Sequence, residues 1–161
     1  MPDKIVVYYS LEGNVEFLAK EIASKTGADL LKLETVKEYP KKGLIKFLHG
    51  GRDASFGFKP ELKTEIPDLA SYGTVILGTP VWASKPSAPL NTFLDKVSLK
   101  GKEVFLFTSS AGGNADKCIN AVSALIANQG GTFCGAESFM NPLKNKEASE
   151  EKLNSFVQKL N

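Results

Sequence analysis

Three short stretches of this chain hold residue types suited to gripping a small anionic and planar ligand. The first is Ser10-Leu11-Glu12-Gly13-Asn14-Val15, placed between an apolar run and a stretch of helical spacing. Gly13 permits a tight backbone there, and such turns aim free amide N–H groups and the positive end of a helix at an anion. Ser10 offers a hydroxyl, and Asn14 can cap the helix or donate to the anion. The second stretch, Thr79-Pro80-Val81-Trp82-Ala83-Ser84, carries the only tryptophan. Following Pro80, Trp82 reads as a loop residue with a partly exposed ring, which suits stacking on a flat ligand. The third, Thr108-Ser109-Ser110-Ala111-Gly112-Gly113-Asn114, is rich in Ser and Gly, so its backbone can approach a polar ring edge closely. Each has a plainer reading taken alone: an Asn-capped turn, a core tryptophan, an ordinary loop. Together they describe a site for a phosphorylated planar cofactor.

The elements around these stretches put them in one place. Five apolar or β-branched runs stand out: Ile5-Val6-Val7-Tyr8-Tyr9, Leu30-Leu31-Lys32-Leu33, Thr74-Val75-Ile76-Leu77-Gly78, Val104-Phe105-Leu106-Phe107 and Thr132-Phe133-Cys134. The first, third and fourth are almost unbroken, as expected for parallel strands buried on both faces. Between and after them, Val15/Leu18/Ala19/Ile22/Ala23, Leu90/Phe93/Leu94/Val97, Cys118/Val122/Leu125/Ile126 and Leu153/Phe156/Val157/Leu160 fall at helical spacing. Gly27 and Gly130-Gly131 stand where left-handed helix caps are expected. Alternation of strand and helix predicts one α/β domain over residues 1–161, a three-layer α/β/α with a five-stranded parallel sheet in the order 2-1-3-4-5. That order puts the crevice between the first and third strands, where the three stretches meet. The link from Glu34 to Gly73 is long enough to suggest function or decoration, with a short helix expected at Leu44–His49.

Composition narrows the function classes. Net charge is +2 with no basic stripe, which argues against nucleic acid, and no apolar run reaches the roughly 18 residues of a membrane span. The N-terminal residues run straight into a strand pattern without a signal-peptide layout, so a cytoplasmic location is expected. Cys118 and Cys134 form no CxxC pair and read as buried free thiols; His49 has no metal-ligand neighbours. No metal site and no convincing catalytic cluster is expected.

The phosphate turn, the Gly78-Thr79-Pro80-Val81-Trp82 stretch and the Thr108–Asn114 loop resemble the flavodoxin family, over nearly the whole chain in strand–helix order. Ser10, Gly13 and Asn14 match that family's phosphate loop, while Glu12 and Val15 replace hydroxyl residues. The resemblance implies FMN as cofactor, bound by Ser10, Leu11, Glu12, Gly13, Asn14 and Val15 at its phosphate. Thr79, Pro80, Val81, Trp82 and Ala83 would flank the isoalloxazine, with Trp82 stacked on it, and Ser109, Ser110, Ala111, Gly112 and Gly113 would meet its pyrimidine edge. The third loop has no aromatic, so a second stacking face is sought in Phe56 or Phe58. Glu12 is expected to turn to solvent and Val15 to join the buried helix face. The implied function is electron transfer with redox partner proteins, as a monomer or homodimer; an FMN-dependent NAD(P)H:quinone oxidoreductase on the same fold is the alternative.

Overall fold

The computed structural model describes residues 3–40, 52–53, 57–112 and 114–161. Its elements run β1 (Lys4–Tyr8), α1 (Asn14–Thr26), β2 (Asp29–Lys32), β3 (Thr74–Trp82), β4 (Lys85–Pro86), α2 (Ala88–Lys96), β5 (Glu103–Ser110), α3 (Asp116–Asn128), β6 (Thr132–Met140) and α4 (Lys146–Leu160). The sheet order is β2-β1-β3-β5-β6, with every neighbouring pair on that path parallel. Counting those five strands alone, this is the expected 2-1-3-4-5. The addition is β4, a two-residue strand folded back antiparallel on the end of β3.

The unbroken apolar runs are explained by the pleat, which sends alternate residues to opposite faces of the sheet. Ile5, Val7, Val75, Leu77, Val104 and Leu106 join Leu90, Phe93 and Leu94 of α2 and Cys118, Val122 and Ile126 of α3 in one core. Val6, Tyr8, Ile76, Phe105 and Phe107 join α1 and α4 in the other. Val15 belongs to this second core, as expected. Both faces are therefore sealed, and the strand ends are the open part of the sheet. Gly27 ends α1 in the left-handed region (φ 71°) and Gly130 follows α3 likewise (φ 84°), at the two positions expected.

Three strands run further than their apolar runs suggested. β3 continues through Trp82, β5 through Ser110 and β6 through Met140. Trp82 is thus the last residue of a strand rather than a loop residue, because β4 pairs with it through Lys85. In β6 the polar residues Glu137 and Ser138 mask an edge strand, which needs only one neighbour. The register with β5 slips between Val104 and Phe105, leaving Cys134 without an opposite residue. Cys134 is accordingly exposed, against the expectation that both thiols are buried; Cys118 is buried, and burial pushes its thiol up to about 12. Of the long link, the described ends are tied together by a bridge between Thr35 and Leu62 and by the Thr64 hydroxyl donating to Lys32 O at 2.9 Å. The helix expected at Leu44–His49 lies outside the described residues.

Gly78 shows how tightly the second core is built. A Cβ at this position would overlap the ring of Phe107, which packs across the strand from the neighbouring β5. Gly78→Ala should lower unfolding free energy by about 1–3 kcal/mol, as overpacking does. Urea unfolding followed by far-UV circular dichroism measures this; an unchanged midpoint would mean that the ring has room to move.

Candidate functional site

The three stretches do meet. A cavity of about 540 Å³ opens at the carboxyl edge of the sheet, lined by Ser10, Leu11, Glu12, Asn14, Val15, Pro80, Val81, Trp82, Ala83, Ser109, Ser110, Ala111, Asn141 and Lys144. It sits between β1 and β3, where the strand order reverses and where open parallel sheets bind ligands. A larger, more open hollow of about 840 Å³ lies at the opposite edge. Its Lys102 ammonium donates to the carbonyls of Leu69 and Tyr72, both at 2.7 Å.

The first wall is the turn from β1 into α1. Gly13 precedes the helix in the left-handed region (φ 100°, ψ −10°), a conformation that favours glycine. Its amide donates to Ser10 Oγ at 3.2 Å, and the first helical bond runs from Phe17 N–H to Gly13 O. The amides of Asn14, Val15 and Glu16 have no intrahelical acceptor, as at any helix start. Glu16 is held off by Lys32 at 3.0 Å and by the Tyr8 hydroxyl at 3.1 Å, and chiefly the lysine's hydrogen bond keeps its carboxyl below the usual range. Glu12 is exposed and is at the same time one of the cavity's lining residues, so it does not turn wholly away from the site.

The second wall is the β3–β4 hairpin. Ala83 (φ 49°) and Ser84 (φ 64°) both adopt the left-handed region, the geometry of a two-residue hairpin turn that more often carries Asn-Gly. Each L-residue held there costs roughly 1–2 kcal/mol. The turn sets Trp82 against Tyr39, with ring centroids 5.0 Å apart, and edge-on to Tyr9 at 5.6 Å. Tyr39 is fixed in turn by its hydroxyl, which donates to Asp53 at 2.6 Å. Thr79 lies away from the cavity lining, fully buried; its hydroxyl accepts from the Ser87 amide at 2.9 Å and ties β3 to the start of α2.

The third wall is the end of β5, Ser109 and Ser110, together with Ala111 just after it. Gly112 is outside the lining, with φ 134°, and Gly113 lies outside the described residues. Phe58 is 51% exposed and does not line the cavity, and Phe56 lies outside the described residues. The long link instead contributes Tyr39 behind Trp82.

Sequence reasoning missed a fourth wall, the loop from Asn141 to Asn145. Asn14 Oδ1 accepts from the Leu143 amide at 3.1 Å, and the Asn141 amide donates to Ser110 O at 2.9 Å. This loop is clipped to the first and third walls, and it brings Asn141 and Lys144 to the cavity. Nothing local marked it, since it follows an edge strand that reads as polar; the apolar Met140 and Leu143 beside it are 57% and 40% exposed.

A family model described as flavodoxin matches residues 3–160. Among solved structures, a protein of Bacteroides uniformis described as a flavoprotein is 18% identical, covers 97% of each chain and has a TM-score of 0.76. A flavoprotein of Lactobacillus acidophilus, solved in complex with FMN, is 22% identical over 90% of this chain and 98% of its own, with a TM-score of 0.73. Two-electron reduced flavodoxin from Megasphaera elsdenii is 25% identical over 84% of each chain, with a TM-score of 0.57.

The aromatic wall gives the site an alkaline limit. Burial first, and then the Glu38 carboxylate, push the Tyr9 phenol from 10.0 up to about 12. Tyr39 is also pushed up, first by burial and then by its bond to Asp53. A phenol whose pKa is raised by folding stabilises the protein fully below its unfolded value, and that contribution is lost as pH rises toward the folded one. The urea midpoint should therefore fall as pH rises from 10.0 to about 12, and Tyr9→Phe should flatten the decline. A midpoint constant through that interval would place these hydroxyls in water.

Proposed function

Since the chain belongs to the flavodoxin family, we propose that it binds FMN and carries electrons between redox partner proteins of the cytosol. The observation that carries this reading is the cavity that joins the start of α1, Trp82 and the end of β5. Its volume of about 540 Å³ lies within the roughly 300–1,000 Å³ of small-molecule sites. Its donors also fit the group: amides at a helix start for a phosphate, an indole for a flat ring, and polar strand ends for a heterocycle edge. FMN, when bound, supplies one- and two-electron chemistry.

The chain's own part is to hold and shield. Ser10 and the backbone of Leu11 to Val15, including Gly13, would receive the phosphate. Trp82, braced by Tyr9 and Tyr39, would cover one face of the ring. Pro80, Val81 and Ala83 would flank the ring, and Ser109, Ser110, Ala111, Gly112 and Gly113 would meet its polar edge. Thr79 would act from behind through Ser87. Met140 and Leu143, exposed at the rim, offer a partner an apolar approach.

A neighbouring hollow of about 260 Å³, bordered by Tyr9 and Tyr39, shares Ser10 and Leu11 with the cavity. A second reading, direct reduction by NAD(P)H with a quinone as acceptor, would need a nicotinamide site beside the flavin. Steady-state NAD(P)H oxidation with a quinone separates the two: the carrier reading expects background rates, and saturable turnover favours the enzyme.

Titration with FMN should quench the emission of Trp82, the only tryptophan. Base–aromatic stacking is worth about 1–3 kcal/mol, so Trp82→Ala should weaken FMN roughly tenfold to a hundredfold. Absence of any flavin spectral change on titration would end the FMN reading, whereas quenching without a loss in the variant would remove Trp82 from the ring.

A further inference from the structure

Among the described residues lining the cavity, Lys144 carries the one cationic side chain, and it belongs to the wall that sequence patterns did not reveal. We propose that Lys144 is a phosphate-recognition residue of this site, the cationic partner of the ligand's dianion. The inference rests on the FMN reading above and adds the residue that discriminates FMN from flavin lacking a phosphate.

Position is the first argument. Asn14, the first residue of α1, accepts the Leu143 amide on its Oδ1 at 3.1 Å, so Lys144 is one residue from a hydrogen bond to the anion-binding turn. Its backbone is fixed as well. The Lys144 amide donates to Asn141 O at 2.9 Å, and Asn145 Nδ2 donates to Met140 O at 3.1 Å, closing the loop on itself. The loop is thus placed by the same residue that opens the helix, and it turns with Asn141 at φ 40°.

Charge is the second argument. Lys32 is engaged by Glu16, Lys152 by Glu137, and Lys146 lies over the Phe17 ring at 5.4 Å. The Lys144 side chain makes no hydrogen bond or ion pair with another described residue. The arrangement also gives Asn14 a defined task. Its carbonyl oxygen, which cannot donate to an anion, holds the loop, and its NH2 is the group able to donate to one.

The test compares FMN with riboflavin on the full chain, reading dissociation constants from Trp82 emission and flavin fluorescence. Lys144→Gln should weaken FMN about tenfold at low ionic strength while leaving riboflavin unchanged. The gap should narrow with added salt, as the Debye length falls from about 30 Å at 0.01 M to about 8 Å at 0.15 M. Lys144→Arg should keep most of the preference. Lys146→Gln, an equal loss of charge outside the cavity lining, should bind FMN close to the native value. An FMN constant unmoved by Lys144→Gln, or an equal loss for both flavins, overturns the inference and leaves the FMN reading intact. Native chain that binds neither flavin overturns the FMN reading itself and this inference with it.

Discussion

The parallel pairing of β1 with β3 is the constraint from which the rest follows. It runs in register from Lys4 opposite Thr74 to Tyr8 opposite Gly78, and its last bond is Tyr9 N–H to Gly78 O at 3.2 Å. Beyond that bond the two chains part. β1 turns away into the Ser10–Gly13 loop because Gly13 takes a left-handed conformation, while β3 continues straight for four more residues to Trp82. The cavity is the space left by this divergence. Neither wall could be moved without breaking the central pair of a sheet whose faces are both sealed by helices. That sealing is why ligand contacts collect at the strand ends rather than over the sheet.

Much of this was written plainly in the residues. Apolar runs such as Ile5–Tyr9 and Val104–Phe107 identified central parallel strands because burial on both faces removes polar alternation. Trp82, Gly13 and Ser109 could be assembled into one site because strand order alone decides which loops are neighbours. What was hidden was hidden for physical reasons. An edge strand carries less hydrophobic pattern, so β6 seemed to stop near Cys134 when it runs to Met140. The loop that follows owes its place to Asn14, 129 residues away from Leu143, and pairings at that distance leave no local mark. Ala83 and Ser84 gave no hint of a tight turn, since turn chemistry points to Asn and Gly.

The aromatic group behind the cavity shows a different way for sequence to fall short. Trp82 reads as a stacking surface from sequence, with a second stacking face expected from Phe56 or Phe58, and no residue marked as its support. The structure gives two tyrosines that brace it edge-on and at a tilt, each with its hydroxyl in a different setting. Ring pairs of this kind add about 0.5–1.5 kcal/mol beyond the area they bury. Their effect on Trp82 is orientational: with Tyr9 on β1's end and Tyr39 on the link, two separate segments converge on one indole. Fixing a flat group before a ligand arrives lowers the ordering cost of binding.

The skipped residue in β6 has a bearing on how copies of this chain meet. β6 is nine residues long and lies at the border of the sheet, with β5 as its one neighbour among the described residues. Unpaired backbone along such a border invites a strand from a second molecule. Here the slip opposite Val104 and Phe105, with Gly135 at φ 150°, interrupts the spacing of amides and carbonyls one third of the way along. A bulge also tightens local twist and bends the strand. An incoming strand that matched β6 before Cys134 would be out of step after it. The edge is thereby interrupted by its geometry, upstream of the carboxyl end of the same strand, which leads into the loop that serves the cavity.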